Sequence, residues 1–237
     1  MLILLSPAKT FSKHPKKQSL QFKFEVETNY LLRKLKQLSI KKIENHMKVS
    51  RNIAETVFHF YQDFGNLSYE ALSLFDGQAF KGLDYQSLDQ ETKIYAEDKL
   101  LVIDALYGLI SPHQGISPYR LDMQEKVVGN LYHYWKNPIH LYLSSLNDTI
   151  INLASLEYSS ILNQDLNMIT IDFRQKSKGI IKSISMHTKL ARGMMARHIL
   201  NHRIRDINQL KTIEMDGYHF DPSLSNNKTF IFLKELT

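Results

Sequence analysis

The sequence contains no cysteine among its 237 residues. Without thiols the chain can form no disulfide, offer no thiolate nucleophile and hold no iron–sulfur cluster. Long apolar runs are also missing, and no stretch approaches about 18 residues, so we predict no membrane-spanning helix. The start lacks the basic region and apolar run of a secretory signal, and we therefore expect a cytoplasmic protein.

Glycine and proline are scarce, with 9 and 6 residues. Together with a hydrophobic content of 43%, this composition is typical of a globular chain and not of a disordered one. No internal repeat, low-complexity tract or linker interrupts the sequence. We therefore expect a single domain over residues 1–237.

Most standard catalytic motifs are absent as well. Lys9-Thr10 matches only the tail of a phosphate-binding P-loop, because no glycine precedes it. No G-x-S-x-G elbow and no dinucleotide-binding glycine fingerprint occurs, which disfavours hydrolases and Rossmann dehydrogenases. His198 and His202 have the spacing of a zinc-binding helix without its glutamate, so core or edge histidines explain them better. We predict neither a cofactor nor a metal site.

Helices and strands alternate along the chain, which indicates a mixed α/β domain. The first glycine is Gly65, so residues 25–62 are expected to be mostly helical. Ser39 fits the N-cap of a second helix that continues through Val57. Further helices are predicted at 69–75, 89–98 and 132–146. Strands are predicted at 2–5, 100–103, 149–154, 168–173, 180–186 and 229–233, with a turn at 163–167.

The first twelve residues carry the strongest functional signal. An apolar strand from Leu2 to Leu5 runs directly into Ser6-Pro7-Ala8-Lys9-Thr10. This places two hydroxyls and a lysine just beyond the carboxyl end of a strand, where open α/β sheets usually bind their ligands.

Basic residues outnumber acidic ones, 30 to 24, and they concentrate in two segments. One is residues 33–51, which contain a single acid, Glu44. The other is the helix from Lys189, in which Lys189, Arg192 and Arg203 project to one side. Two separated basic segments predict contact with nucleic acid, although a solvated face explains such a stripe about as well. The candidate DNA-binding residues are Arg33, Lys34, Lys36, Lys41 and Lys42.

Several motifs, in this order, resemble those of the YaaA family of bacterial proteins linked to peroxide stress. Besides the opening, they are Leu106-Tyr107-Gly108-Leu109, Pro118-Tyr119-Arg120-Leu121-Asp122-Met123, Leu131-Tyr132-His133-Tyr134-Trp135, Ile151-Asn152-Leu153-Ala154-Ser155-Leu156-Glu157-Tyr158, Lys189-Leu190-Ala191-Arg192-Gly193 and Gly217-Tyr218-His219-Phe220. The resemblance implies a single-domain α/β fold with a positively charged cleft and a helix–hairpin–helix-like element. It also implies DNA binding and a role in limiting iron-driven oxidative damage.

The sequence departs from that family pattern at three places. Asp104 stands where relatives usually have a serine, Ser111-Pro112 and Gln114 replace an Arg-Pro and an Asp, and Phe80 replaces a tyrosine. These changes remove one basic and two hydroxyl groups from the expected cleft and add an acid, Asp104.

The residues that match the family motifs supply the candidates for a ligand site. They are Ser6, Lys9, Tyr107, Tyr119, Arg120, Asn152, Ser155, Tyr158, Lys189 and Arg192. Arginine offers a planar fork to phosphate and lysine a point charge, whereas asparagine and serine can donate to an oxyanion or a base edge. Each tyrosine could stack on a base or equally be a core aromatic with a satisfied hydroxyl. Lys9 is the catalytic candidate, as a cation or as an amine nucleophile that neighbouring cations activate.

Two classes of function remain open. The first is a DNA-binding stress protein in which basic helices within residues 29–51 hold duplex phosphates. The second is an enzyme that acts on a nucleobase or nucleotide bound by the cations of the cleft. Convergence of the candidates in a closed pocket favours the second, and an open groove continuous with residues 33–51 favours the first. Direct iron binding has no support, because no cysteine and no suitable cluster of histidine and carboxylate residues occurs.

Overall fold

A central eight-stranded sheet organises the computed structural model, which describes residues 1–236. Five of its strands are parallel and lie in the order β3-β1-β6-β7-β10, and β4, β8 and β9 pair antiparallel with β3, β7 and β10. The short strands β2 and β5 form a separate antiparallel pair. The strands are β1 (Leu2–Leu5), β2 (Tyr69–Glu70), β3 (Leu100–Asp104), β4 (Gly108–Ile110), β5 (Gly115–Ile116), β6 (Ile150–Asn152), β7 (Met168–Ser177), β8 (Ile180–Lys182), β9 (His219–Phe220) and β10 (Thr229–Glu235).

In the described part of the chain, ten helices connect and cover these strands. They are α1 (Glu25–Lys36), α2 (Ile40–Met47), α3 (Arg51–Gln62), α4 (Ala71–Leu74), α5 (Gln78–Leu83), α6 (Gln90–Lys99), α7 (Leu131–Ser145), α8 (Leu156–Ser159), α9 (Ser185–Asn201) and α10 (Ile207–Leu210), with one 3₁₀ turn at Tyr85–Ser87. Within residues 1–236, no helix combines the length and apolar character needed to cross a bilayer. The mixed α/β class predicted from the sequence is confirmed.

Strand β1 lies in the middle of the sheet, between β3 and β6. All four of its residues are buried, which explains why the segment is uniformly apolar and does not alternate. The predicted strands at 2–5, 100–103, 149–154, 168–173 and 229–233 are confirmed, with ends that shift by up to four residues.

The predicted second helix of the N-terminal half is two helices. Ser39 does cap α2, since its side chain accepts a hydrogen bond from the backbone N–H of Lys42. The helix ends at Met47. The next residue, Lys48, adopts a left-handed conformation (φ 50°), and its N–H donates to the carbonyl of Glu44. A new helix, α3, begins at Arg51. The prediction of one helix through Val57 is therefore wrong, because no glycine marks this left-handed turn.

Two other predicted elements change type. Tyr69–Glu70 pairs with β5 before the short helix α4 begins, so the predicted helix at 69–75 is only partly correct. The predicted strand at 180–186 stops at Lys182, and α9 begins at Ser185. Positive φ angles at Lys178 and Gly179 form a tight hairpin turn, which leaves Ile180 and Ile181 exposed on the short strand β8.

Helices α5 and α9 pack backbone against backbone. A Cβ placed on Gly193 would lie 1.8 Å from the carbonyl oxygen of Ala79, and one on Gly82 would lie 2.2 Å from that of Leu190. Only glycine permits this approach. The contact fixes α5 against α9, so the loop before α5 and the exposed side of α9 share one wall of the cavity described below.

Candidate functional site

A cavity of about 710 Å³ lies between the loops that follow β1 and β6. The chain leaves β1 towards β3 and leaves β6 towards β7, in opposite directions across the sheet. Open α/β sheets bind ligands in the crevice that such a reversal creates at the carboxyl ends of the strands. We call it the switch-point cavity. Its walls are residues 5–10, 76–81, 153 and 155–158, together with Lys189 and Arg192.

Hydrogen bonds between the two loops fix the floor of this cavity. The backbone N–H of Ser155 donates to Oγ of Ser6 at 2.8 Å, and the Ser6 hydroxyl donates to Oγ of Ser155 at 3.2 Å. On the other side, the backbone N–H of Asp76 donates to the carbonyl of Thr10 at 2.9 Å. Gly77 lies so close to Ala8 that a Cβ there would be 2.9 Å from the Ala8 Cβ. The loop after β1 is therefore held from both sides.

Lys9 contacts a carboxylate and not a cation. Its Nζ lies 2.6 Å from Oδ2 of Asp122, whose side chain is nearly buried. The sequence-based idea that surrounding cations activate the Lys9 amine is not supported by this geometry. Instead, the ion pair presents an oriented ammonium group at the edge of the cavity.

Helix α9 contributes two cations to the walls of the cavity. Lys189 is exposed, whereas Arg192 is partly buried and its Nε has no hydrogen-bond partner among the described residues. Burial lowers the pKa of Arg192, which the charge of Asp172 partly offsets. Arg203, predicted on the same side, lies beyond the end of α9 and pairs with Glu91 at 3.0 Å. That prediction is wrong because the helix ends at Asn201 and Arg203 adopts a positive φ.

Glu157 also lines the cavity and was not among the predicted site residues. Burial raises the pKa of its carboxyl group, and the charge of Asp122 adds to the effect. Its Oε1 is buried without a hydrogen-bond partner in the described part of the chain. The available sequence signal was its place between Ser155 and Tyr158, two candidates after the same strand.

The three candidate tyrosines occupy different places. Tyr158 lines the cavity. Tyr119 lies behind it, in a small neighbouring cleft with Lys9 and Arg120, and donates its hydroxyl proton to Asp104. Tyr107 is fully buried, and its hydroxyl accepts from the N–H of Ser117 at 2.9 Å. The structure therefore places Tyr107 in the core and away from the cavity lining.

Asn152 and Arg120 each take part in a hydrogen bond that fixes the backbone of a loop. Asn152 is buried at the end of β6, where its Oδ1 accepts from the N–H of Ala154 and its Nδ2 donates to Thr170. It shapes the turn that carries Ser155. The carbonyl of Arg120 accepts a hydrogen bond from the hydroxyl of Tyr61, which anchors the loop that carries Arg120 at the small neighbouring cleft.

Asp104, which the sequence suggested as an added acid of the cleft, lies outside the cavity lining. It is fully buried and accepts hydrogen bonds from the backbone N–H groups of Leu106 and Tyr107, both at 2.8 Å. Burial raises the pKa of Asp104 to about 6, although these hydrogen bonds and the one from Tyr119 oppose the shift. Asp104 holds the turn between β3 and β4 and is not a cleft residue.

The five candidate DNA-binding residues are all exposed on α1 and α2. None of them lines the switch-point cavity. Arg33 and Lys36 border a separate groove of about 480 Å³ with Phe22 and Phe64. The structure therefore brings Ser6, Lys9, Ser155, Tyr158, Lys189 and Arg192 together and leaves the basic residues of α1 and α2 as a second group.

Within residues 1–236, no three histidine or carboxylate side chains are placed to hold a metal ion. The rings of His198 and His202 stack with centroids 4.1 Å apart at the end of α9. Burial and the neighbouring His202 lower the pKa of His198.

Comparison with known proteins supports the family resemblance of the motifs. The family model for peroxide stress protein YaaA matches residues 1–224. The chain belongs to the YaaA family. Two relatives named UPF0246 protein, from Francisella tularensis subsp. holarctica and Francisella philomiragia, are each 35% identical to it over 254 aligned positions. In both, the match covers 99% of this chain and 100% of the relative.

The family assignment covers every element that builds the switch-point cavity. Its residues lie between Leu5 and Arg192, well inside the region that the YaaA model matches. The cavity is thus part of a YaaA domain and not of an added segment.

Proposed function

We propose that this YaaA-family protein serves the peroxide stress response in the cytoplasm by binding a nucleotide or nucleobase in the switch-point cavity. The observation that carries the proposal is the convergence of Lys9, Lys189 and Arg192, from distant parts of the chain, on one cavity at the carboxyl ends of β1 and β6. Its volume, about 710 Å³, falls within the 300–1,000 Å³ of ordinary small-molecule sites.

The charge balance of the walls supports an anionic ligand. Four cations line the cavity (Lys9, Lys81, Lys189 and Arg192) against two carboxylates (Asp76 and Glu157). Asp76 lies 3.8 Å from Lys81, and Asp122 holds Lys9, so Lys189 and Arg192 carry the positive charge without a carboxylate within 4 Å among the described residues. Phe80 and Tyr158 add aromatic surface for a base.

Charge reversal at Lys189 tests this proposal. Lys189→Glu should weaken binding of a nucleoside monophosphate about 10-fold or more, because the phosphate loses an attraction and meets a repulsion. Cells in which this variant replaces the native protein should be as sensitive to peroxide as cells that carry neither form. Lys136→Glu, the same change at an exposed site of α7, is the matched control. Full peroxide protection and unchanged binding in Lys189→Glu would contradict the proposal.

We also propose duplex DNA contact by the surface formed by α1 and α2, which would keep the protein near a target of iron-driven oxidative damage. Five cations there are exposed (Arg33, Lys34, Lys36, Lys41 and Lys42), and the two helices are joined by only Gln37, Leu38 and Ser39. Lysine and arginine on such a compact, helix–hairpin–helix-like surface can neutralise successive phosphates of a duplex without reading its sequence.

A further inference from the structure

The described residues contain five buried side-chain nitrogen or oxygen atoms that have no hydrogen-bond partner. Two of them, Nε of Arg192 and Oε1 of Glu157, belong to residues that line the switch-point cavity. Native proteins leave few buried polar atoms unpaired, and each one calls for a partner such as an ordered water, an ion or a bound ligand. Their coincidence in one cavity therefore points to a ligand.

The two orphan atoms have opposite requirements. Nε–H of Arg192 is a donor on a permanently charged group and needs an acceptor, for which phosphate oxygens are well suited. Oε1 of Glu157 is an acceptor and needs an N–H or O–H donor. No ion pair within 4 Å joins these two side chains in the described part of the chain, so neither satisfies the other. A single ligand with an anionic end and a donor end would supply both missing partners.

We infer that the ligand is a nucleotide bound in a fixed direction, with its phosphate on Arg192 and an N–H or O–H of its base or sugar on Glu157. Inorganic phosphate satisfies only the first contact and a nucleoside only the second. The inference rests on the proposed function and adds the chemical class and the orientation of the ligand.

The positions of the neighbouring groups agree with this direction. Lys189 precedes Arg192 by one turn on α9, so both cations can face the same phosphate. Glu157 belongs to α8, on the side of the cavity built from the loop after β6. The aromatic ring of Tyr158 follows Glu157 directly and lines the same cavity.

The test is calorimetric titration with AMP, GMP, CMP and UMP, with the four matching nucleosides and with inorganic phosphate. For the monophosphate that binds best, we expect affinity about 10-fold or more above that of its nucleoside and of phosphate. Arg192→Met should remove most of the difference between nucleotide and nucleoside. Glu157→Met should weaken nucleotide and nucleoside by the same factor and leave phosphate binding no weaker.

Conservative variants and surface controls separate binding from folding. Arg192→Lys keeps a charge without the Nε–H, and Glu157→Gln keeps an acceptor, so each should lose less than the methionine variant. Arg205→Met and Glu214→Gln, at exposed positions outside the cavity, should bind as the unmodified protein does. The variants are compared only where their melting temperatures agree within a few degrees.

The outcomes distinguish the inference from the proposed function. If a monophosphate binds but Arg192→Met weakens the nucleoside as much as the nucleotide, the inferred direction is wrong. The same holds if Glu157→Met weakens inorganic phosphate equally. If neither nucleotides nor nucleosides bind at all, the proposed function fails together with the inference.

Discussion

At the scale of single residues, the buried Asp104 and the partly buried Glu157 illustrate how position decides chemistry. Asp104 and Glu157 both have raised pKa values because burial disfavours the charged form. Asp104 is nevertheless fully hydrogen-bonded to Leu106, Tyr107 and Tyr119 and therefore serves the fold. Glu157 keeps an unpaired oxygen and faces a cavity, which is why it enters the proposed site.

The raised pKa of Asp104 predicts a specific dependence of stability on pH. Its pKa is about 6 in the folded state, against the ordinary value of 3.8 for the unfolded chain. The folded state therefore binds the proton of Asp104 more tightly than the unfolded state does. The contribution of Asp104 to stability is therefore complete below pH 3.8 and is lost as pH rises through about 6. The loss is at most about 3 kcal/mol, since one pKa unit corresponds to about 1.4 kcal/mol.

Asp104→Asn should abolish this component. An amide has no proton to lose, and its Oδ1 can still accept from the N–H groups of Leu106 and Tyr107. We expect urea denaturation at pH 4 and pH 7 to show a smaller decrease in the free energy of unfolding for the variant than for the unmodified protein. Equal pH dependence of the two proteins would show that Asp104 does not titrate in this range.

At the scale of secondary-structure elements, α1 and α2 form a surface that is separate from the cavity. Acidic residues Glu25 and Glu27 occupy the first turn of α1, and Arg33, Lys34 and Lys36 occupy its last turn. This arrangement complements the helix dipole and by itself stabilises α1. It also collects positive charge next to the start of α2, which is where we propose duplex contact.

Salt dependence separates the two explanations of this charge. Each phosphate contact contributes about 0.9 to the slope of log affinity against log salt. Replacing the five exposed cations of α1 and α2 by glutamine should therefore reduce the slope for a duplex by up to about 4.5 and weaken binding, as measured by fluorescence anisotropy. A control removes the same net charge elsewhere, at Lys13, Lys136, Lys178, Lys182 and Arg205. If the control changes the slope equally, the α1–α2 surface is not the DNA contact.

At the scale of the whole molecule, local sequence patterns predicted most helices and strands. They did not predict which distant residues contact one another. The apolar run of β1 was sufficient to predict a buried strand, and the residues that follow it do line a cavity. The break at Lys48 was missed because a lysine in a left-handed conformation leaves no mark in the sequence. The hairpin at Lys178-Gly179 was missed because apolar residues 180 and 181 resemble a buried strand.

The residues of the candidate site were also predicted only in part. Ser6, Lys9, Ser155, Tyr158, Lys189 and Arg192 do converge on one cavity. That Tyr107 is buried, and that Asp122 is the partner of Lys9, depends on contacts between residues far apart in the chain, which no local pattern encodes. Glu157 was missed because its unpaired oxygen becomes visible only when every neighbouring atom is in place.

We propose above that the carboxyl ends of β1 and β6 form a nucleotide site distinct from the α1–α2 surface. Backbone amide chemical shifts of the isotopically labelled protein, recorded during titration with a nucleoside monophosphate, test it most directly. Binding in the switch-point cavity should shift the signals of residues 6–10, 76–81 and 155–158 and leave those of α1 and α2 unchanged. Shifts confined to α1 and α2, or none at saturating ligand, would contradict it.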